Sequence, residues 1–255
     1  MKKIVLSVAV CGALALGMFG CSQAPAPKEE GNGGAPQQEQ PAAAPEPEKT
    51  PDELKADLAA LINGQQGNVT VDTKTDTTVS VDGQSITQSM DMLAMADNTN
   101  GYKGYAKLSA PGTEVDEMET FMDGDKVVAR LGDQVIDISS EMAGEMDDSV
   151  GANNEQALAI VSGAKDISVS DQGGKKVYTV TTDGASVSGV AFDGVDSVGA
   201  IEATYTFDSS DQLIKVTMKV EGTTTVEDQK VDVKVDVTAD YSDYGTTEVP
   251  AIPEA

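Results

Sequence analysis

Polar and apolar residues alternate along several long stretches of the chain. From Val69 to Val81, valine and threonine occupy one set of positions, and mostly aspartate, lysine and serine occupy the other. From Val231 to Tyr241 the alternation continues without a break. A period of two residues is typical of antiparallel strands that bury one face and leave the other in water. The pattern therefore predicts a long antiparallel sheet with one apolar and one wet face.

The remaining strands are predicted from weaker alternation and from the turn signals between them. The pairs Asp82-Gly83, Asp123-Gly124 and Gly173-Gly174 separate stretches that are rich in valine, threonine and methionine. Pairs of this kind favour tight hairpins. The further strands predicted in this way are 86–94, 102–110, 115–122, 126–131, 135–138, 167–170, 177–182, 201–207 and 213–222.

One helix is predicted ahead of the first strand. Thr50 as N-cap, Pro51 at the first helical position and Glu53 three residues after the cap form a capping-box start. Leucine and isoleucine then recur at helical spacing until Gly64, where the helix is predicted to end.

Further helices are predicted in the middle of the chain. The i, i+4 pair Met142 and Met146 predicts one short helix, and an apolar stripe over 157–161, behind possible caps at 153–154, predicts a second. The stretch 185–198 also has valines at roughly helical spacing and is predicted as a helix, although it contains two glycines.

The first 20 residues follow a different pattern. Lys2 and Lys3 precede an apolar run that extends to Gly20, which is the layout of a secretory signal peptide. The run is too short and too rich in glycine and alanine to be a good membrane span. A small residue directly before Cys21 is what a lipoprotein signal peptidase requires. Cys21 is therefore predicted to carry a diacylglyceryl group and a palmitate, which would anchor the protein at the extracytoplasmic face of the cell membrane.

Two alternatives to this lipidation site remain. The sequence Met18-Phe19-Gly20-Cys21 matches the lipoprotein consensus in part, because Met18 replaces the usual leucine and Phe19 is bulky. Cys11 follows a valine and has few apolar residues upstream, so we assign it to the signal peptide. An ordinary secreted protein with an unmodified Cys21 is the other interpretation.

A proline-rich segment links the signal peptide to the rest of the chain. Between Ser22 and Lys49 lie six of the ten prolines, with almost no aliphatic residues. Such a segment cannot bury enough apolar surface to fold. The predicted organisation is a signal peptide over 1–20, a lipidated cysteine and disordered tether over 21–49, and one domain over 50–255.

The charge of the chain limits its partners. Lys and Arg number 17 against 43 Asp and Glu, so the net charge is -26. A surface of this kind repels nucleic acid phosphates and anionic lipid headgroups, so we expect no nucleic acid partner. Membrane attachment is therefore expected through the acyl anchor alone. Two interpretations of the charge are solubility and a specific cation-binding role, of which we prefer solubility. We expect a monomer without a metal site.

The catalytic patterns in the chain are weak. The sequence contains no histidine, which is the usual base of a nucleophilic triad and the commonest metal ligand. Ser162 and Lys165 fit an S-x-x-K pattern, but the motifs that accompany it in known enzymes are absent from the sequence. Three aspartates on the last strand face have Lys234 among them, unlike the compact loop of a calcium site. The sequence predicts a protein that is not an enzyme and has no metal or cofactor.

Methionine is the other unusual feature of the predicted domain. Its flexible side chain suits a surface that accepts varied apolar ligands, but it also fills gaps in a core with few aromatic residues. The residues alone leave both interpretations open. The methionines of the domain are Met90, Met92, Met95, Met118, Met122, Met142, Met146 and Met218.

The order of elements and the end of the chain carry a family resemblance. The chain has an N-terminal helix, long antiparallel strands, a helical insertion and further strands, and it ends with Tyr241-Ser242-Asp243-Tyr244-Gly245, Val249-Pro250 and Ile252-Pro253. In this it resembles the LppX/LprAFG and LolA-like lipoproteins of the bacterial envelope. It departs from that group over 122–138, where aromatic residues are absent. The resemblance implies an α+β fold, in which a curved half-barrel of antiparallel strands encloses an apolar cavity beneath a helical lid.

The resemblance also implies a function. It implies a lipid, glycolipid or acyl chain held between the sheet and the helices. The alternative is a surface lipoprotein with a closed core that binds a protein or a cell-wall partner. The residues expected to line the cavity are Met90, Met92, Met118, Met142, Met146, Leu158, Val161 and Met218.

Overall fold

The computed structural model describes residues 49–254, apart from 66, 82–83, 98, 100, 114–115, 143–155, 188–194 and 227–228. The predicted signal peptide, Cys21 and all but the last residue of the tether lie outside the described residues. The elements are α1 (Pro51–Asn63), β1 (Val69–Val81), β2 (Gln84–Asp97), β3 (Lys103–Ser109), β4 (Glu117–Asp123), β5 (Lys126–Leu131), β6 (Gln134–Asp137), α2 (Ser139–Met142), β7 (Asp166–Asp171), β8 (Lys176–Asp183), β9 (Ser197–Phe207), β10 (Leu213–Val226) and β11 (Gln229–Ser242). Residues 156–162 form a further helix.

Helix α1 begins and ends as its sequence predicts. The Thr50 hydroxyl accepts a hydrogen bond from the Glu53 N–H, and a Glu53 carboxylate oxygen accepts one from the Thr50 N–H at 2.8 Å. At the other end, the Gly64 N–H donates to the Ala60 carbonyl at 2.9 Å. The capping box satisfies N–H groups that the first turn would otherwise leave unpaired. The stripe that α1 buries consists of Leu54, Leu58 and Ile62.

The strands form one curved, unclosed antiparallel sheet of 11 strands in the order β6-β5-β4-β3-β2-β1-β11-β10-β9-β8-β7. The sheet has two halves, β1–β6 and β7–β11, and within each half consecutive strands are neighbours. The two halves meet at the centre of the sheet. There β1 pairs with β11, so that Val71 lies opposite Tyr241 and Thr75 opposite Val237. Strands β6 and β7 form the two edges. The long, curved sheet of antiparallel strands is the one that the sequence predicts.

The predicted alternation of burial is confirmed on the central strands. On β11, Val233, Val235 and Val237 are buried, and Asp232, Lys234 and Asp236, which alternate with them, are exposed. We call the side of the sheet that carries Val71 and Val235 the inner face, and the opposite side the outer face. One core cluster joins the inner face to the buried residues of α1 and of the 156–162 helix.

The helices of the middle of the chain agree with the prediction in part. The 156–162 helix contains the predicted apolar stripe, with Ile160 and Val161 buried. Helix α2 is a single turn that ends at Met142, whereas Met146 and the predicted caps lie outside the described residues. None of the helices described is long and apolar enough to cross a membrane.

The helix predicted over 185–198 is wrong at both of its described ends. Ala185 and Ser186 form a turn, and Val198 belongs to β9, where it pairs with Gly222 of β10. A Cβ on Gly184 would lie 2.0 Å from the Val198 carbonyl oxygen, so this turn needs a glycine. The helical spacing of the valines did not produce a helix at these ends. Val198 instead forms strand hydrogen bonds with β10, and the glycines in the stretch disfavour a helix.

Candidate functional site

The inner face of the sheet brings together several of the residues predicted to line a cavity. Met92 lies opposite Thr73 and Met90 opposite Thr75, while Met218 lies opposite Val237. These three methionines are buried. Further along the sheet, the half-buried Met118 lies opposite Leu108. Leu108 in turn pairs with Met92, so the predicted methionines of the sheet share one face.

The helical side of the predicted cavity is described in part. Val161 belongs to the core cluster, and Leu158 packs against that cluster half-buried. The side chain of Met142 lies outside the described residues, as does the whole of Met146. The structure therefore places Leu158 and Val161 against the sheet and leaves the two methionines as predictions.

The part of the inner face that belongs to β8–β11 is filled by side chains. Leu58 and Ile62 of α1 and Ile160 of the 156–162 helix are almost fully buried in the core cluster. The rings of Tyr178 and Phe207 meet edge to face, with centroids 6.0 Å apart. This part of the molecule is a packed core.

The margins of the inner face are exposed. Among the described residues, the large apolar side chains with high exposure are Ile86, Ile136 and Val169, at 64%, 41% and 42%. Their partners across the sheet are Val79, Ala129 and Tyr178, which all lie on the inner face. We call these three exposed residues the apolar rim. The apolar surface of the inner face therefore extends beyond the area that the described helices cover.

The apolar rim was missed as a site by the sequence analysis. Ile86 occupies an inward position in the alternating pattern of β2, so the sequence predicts on which face of the strand it lies. The sequence does not predict its exposure, because exposure depends on how far the helices extend across the sheet.

A row of threonines crosses the middle of the inner face. Thr73, Thr75 and Thr77 alternate along β1, and all three are buried. The hydroxyls of Thr73 and Thr77 have no hydrogen-bond partner among the residues that the structure describes. Buried polar groups usually have a partner, so these two hydroxyls are unusual.

The outer face carries a second buried cluster, on β3–β5. Tyr105 and Phe121 lie opposite each other with ring centroids 5.2 Å apart, and Val128 lies opposite Phe121. The Tyr105 hydroxyl donates to a Glu119 carboxylate oxygen at 2.6 Å. The Arg130 guanidinium donates to the other Glu119 oxygen and lies 5.5 Å from the centre of the Phe121 ring. We call these five residues the outer-face cluster.

The charges of the outer-face cluster are balanced. Burial raises the pKa of the Glu119 carboxyl, but hydrogen bonds from Tyr105 and Arg130 and the charge of Arg130 outweigh it. The pKa of Glu119 therefore lies below its ordinary value. Burial, together with the hydrogen bond to Glu119, raises the pKa of Tyr105. Both groups stay in one protonation state near neutral pH, as suits a structural cluster.

A cleft of about 320 Å³ lies where α1, the β9–β10 turn and the end of the chain meet. The Gln65 side chain donates to the carbonyls of Leu61 and Asp211 and accepts from the Leu213 N–H. The Tyr244 hydroxyl donates to the Leu213 carbonyl at 2.6 Å. The C-terminal motif that carried the resemblance thus fastens the end of the chain to the core.

The residues of the weak catalytic pattern contact different groups. The Ser162 hydroxyl donates to the Ala159 carbonyl, whereas Lys165 forms an ion pair with Asp183. On the last strand, Lys234 pairs with Glu221 at 2.7 Å. Within the described residues, no three potential metal-binding side chains of His, Cys, Asp or Glu lie together.

The comparisons with known proteins concern the fold. No family model matches the sequence, and no curated protein matches it. The structure is similar to LprF from Mycobacterium bovis, with 13% identity and a TM-score of 0.44, over 80% of this chain and 96% of that one. It is also similar to the lipoprotein LppX from Mycobacterium tuberculosis, with 16% identity and a TM-score of 0.43, over 79% of this chain and 99% of that one.

A LolA superfamily protein from Nitrosomonas europaea is a third similar structure, with 10% identity and a TM-score of 0.24, over 81% of this chain and 96% of that one. These proteins fall in the groups that the sequence resembles. At such identities the likeness is one of fold, and the side chains of this chain must indicate its function.

Proposed function

We propose that this protein is a membrane-anchored envelope lipoprotein that binds an acyl lipid on the inner face of its half-barrel. The observation that carries the proposal is the apolar rim. Ile86, Ile136 and Val169 are exposed, and all three lie on the side of the sheet that continues into the core. An exposed apolar margin around a concave face is typical of a binding surface.

Burial of hydrocarbon drives the proposed binding. Each methylene that leaves water contributes about 0.8 kcal/mol, so an acyl chain laid from the rim towards the core gains several kcal/mol. Met118 is half-buried on the route between β6 and the central strands, and methionine adapts to ligands of different shape. The binding step therefore needs side-chain movement and no chemistry.

The anchor is proposed from the sequence. An acylated Cys21 would hold the protein at the extracytoplasmic face of the membrane, and residues 22–49 would separate the domain from it. The net charge of -26 repels anionic headgroups. Because of this repulsion, the domain would bind its lipid without itself adsorbing to the bilayer surface.

A second function is favoured by a different observation. The inner face of β8–β11 is filled by α1 and the 156–162 helix, as in a protein whose core is closed. If the rest of the inner face is closed in the same way, the protein is a surface module for a protein or cell-wall partner. Substituting Met90 or Met92 does not separate the two functions, because both side chains are buried and their loss would destabilise either kind of protein.

Mass spectrometry of the protein, expressed from its full sequence and purified from the membranes of its own host, tests the proposal. The denatured mass is expected to correspond to a chain that begins at Cys21 and carries acyl groups. The native mass is expected to exceed it by one bound lipid, which organic extraction should release. A Cys21→Ala variant is the matched control, because it should lose the acyl groups and keep the bound lipid.

Two results would contradict the proposal. An unmodified Cys21 in the membrane-purified protein would remove the anchor. A protein without bound lipid, which also fails to take up a neutral fluorescent lipid probe, would favour the closed-core module instead.

A further inference from the structure

The first half of β2 has one side without a partner strand. Strand β1 pairs with β2 from Gln84 to Ala96, whereas β3 pairs with it only from Asp91 to Asp97. Residues 84–90 therefore have β1 on one side and, among the residues that the structure describes, no strand on the other. We call residues 84–90 the free edge. They are exposed, apart from the half-buried Gln88 and the buried Met90.

Every second residue of the free edge directs its backbone groups away from β1. The Ala110 N–H donates to the Asp116 carbonyl, so the even-numbered residues of β3 bond to β4 and the odd-numbered ones to β2. Ser109 of β3 pairs with Asp91, so the odd-numbered residues of β2 direct their N–H and C=O groups away from β1. On the free edge these residues are Ser85, Thr87 and Ser89.

The free edge lacks the features that keep sheet edges from pairing. Charged side chains, proline, bulges and short length protect the edges of natural sheets. Strand β6 has four residues, and β7 begins and ends with an aspartate. The free edge contains neither a charged residue nor a proline, and its register with β1 contains no bulge. A strand of another chain can therefore extend the sheet here.

The free edge is complementary to a second copy of itself. A two-fold axis at Thr87 would place Thr87 opposite its counterpart and Ser85 opposite Ser89 of the other copy. The outward backbone groups would then form about six hydrogen bonds, two in each of three residue pairs. Hydroxyl side chains would lie opposite hydroxyl side chains, which is a favourable combination. The two copies of Ile86, each 64% exposed, would be diagonal neighbours on the inner face and could contact each other.

The charge of the chain favours this segment for contact between copies. A net charge of -26 drives two copies apart over most of their surface. Salt screens this repulsion within about 10 Å, so the charges at the contact itself matter most. Pairing of the uncharged free edges places no like charges directly opposite each other.

We propose that two copies of this chain form a dimer by pairing their free edges, with a two-fold axis at Thr87. The sequence analysis expects a monomer, because the sequence does not show which part of β2 lacks a partner. Paired segments of this length bury less surface than a permanent dimer needs, so the dimer is weak. The inference does not depend on the proposed function, since backbone hydrogen bonds at the free edge carry it.

Disulfide formation between copies tests the dimer. The two copies of Thr87 would have Cα atoms about 5.5 Å apart, which is within the range of a disulfide. A Thr87→Cys variant, expressed from the full sequence, is oxidised with copper phenanthroline in the membranes of its own host. The disulfide-linked dimer is then measured on a non-reducing gel, and the wild type gives the background from the native cysteines.

A Thr78→Cys variant is the matched control. Thr78 lies opposite Thr87 on β1, and the two hydroxyls are 2.9 Å apart on the same face. Three strand spacings, or about 14 Å, would separate the two copies of Thr78 in the dimer. We expect Thr87→Cys to give at least about tenfold more linked dimer than Thr78→Cys. Equal yields would overturn the dimer and leave the free edge for a strand of a different protein.

A mixed pair of variants tests the register. Ser85→Cys and Ser89→Cys, carried by differently tagged copies in the same cells, are expected to link to each other. Ser85→Cys alone is expected to give only background, because the two copies of Ser85 would lie about 13 Å apart along the strands. A Ser85→Cys dimer as abundant as the mixed dimer would overturn the two-fold axis at Thr87.

Discussion

The two halves of the sheet bury their side chains in different ways. In β8–β11 the inner face is packed against helices, and the exposed residues of the central strand β11 from Lys230 to Ser242 all point outwards. In β3–β5 both faces carry buried side chains, such as Met122 and Val127 on the inner face and Phe121 and Val128 on the outer face. The first half depends on helical cover, whereas the second has a cluster of its own on the opposite side.

This difference matters for binding. Ile86 and Ile136 of the apolar rim belong to the half that contains the outer-face cluster. Strands that are held from the outer side can present their inner side to a ligand and remain ordered. We infer that the outer-face cluster stabilises the half of the sheet that carries two of the three residues of the apolar rim.

Removing the aromatic centre of the outer-face cluster should have the largest effect. Phe121 is 4% exposed and contacts both Tyr105 and Arg130. We expect Phe121→Ala to lower the free energy of unfolding by about 3 kcal/mol or more, as measured by urea denaturation. Asp236→Ala, on the wet outer face of β11, is the control and should change stability by less than about 0.5 kcal/mol. If the two substitutions lowered the free energy of unfolding equally, the outer-face cluster would not stabilise its half of the sheet, and the contrast between the two halves would be wrong.

The next largest effect should depend on pH. Glu119 has a folded-state pKa below the ordinary value of a glutamate carboxyl, because its hydrogen bonds from Tyr105 and Arg130 and the charge of Arg130 outweigh the effect of burial. Its stabilising contribution is therefore complete above the unfolded-state pKa and is lost as the pH falls through the folded-state pKa. We expect Glu119→Gln to cost about 1–3 kcal/mol at pH 7, and clearly less at pH 3.

The neighbouring carboxylate on the same face is the control for this measurement. Glu117 pairs with Lys107 at 2.9 Å, and its side chain is 56% exposed. Glu117→Gln should cost less than about 1 kcal/mol at either pH, because exposed ion pairs contribute little. A cost of Glu119→Gln that is the same at pH 7 and pH 3 would show that the charge of Glu119 does not stabilise the cluster.

The sequence predicted the fold best where one face of a strand is wet. The alternation in β1 and β11, the capping box at Thr50 and the turn pairs placed these elements within a few residues of their observed bounds. The prediction was weakest at 185–198, where local spacing competed with pairing to a distant strand. The run Val127-Val128-Ala129 is the sequence signal for burial on both faces, because it breaks the alternation.

The site was less accessible to sequence reasoning than the fold. The inward position of Met92, Ile86 or Thr73 follows from the phase of each strand. Whether such a side chain is buried, exposed or without a hydrogen-bond partner depends on contacts between elements that are far apart in the chain. The pattern therefore predicted an apolar face, and the tertiary structure was needed to locate the apolar rim and the two unpaired hydroxyls.

The apolar rim offers the most direct test of the binding face. The full chain is titrated with the neutral methyl ester of cis-parinaric acid, both as wild type and as the triple variant Ile86→Ser, Ile136→Ser and Val169→Ser. These side chains are exposed, so the variant should keep its melting temperature within a few degrees. Its affinity for the probe should fall about tenfold, because the rim no longer contributes apolar surface to the complex.

The matched control is a triple variant at the neighbouring outer-face positions, with the substitutions Thr87→Ser, Val135→Ser and Ser170→Ala. This control variant should bind the probe as tightly as the wild type does. Saturable binding that weakens in the rim variant and not in this control is the predicted result. A folded wild type that does not bind the probe, or a rim variant that binds it as tightly as the wild type, would contradict the account.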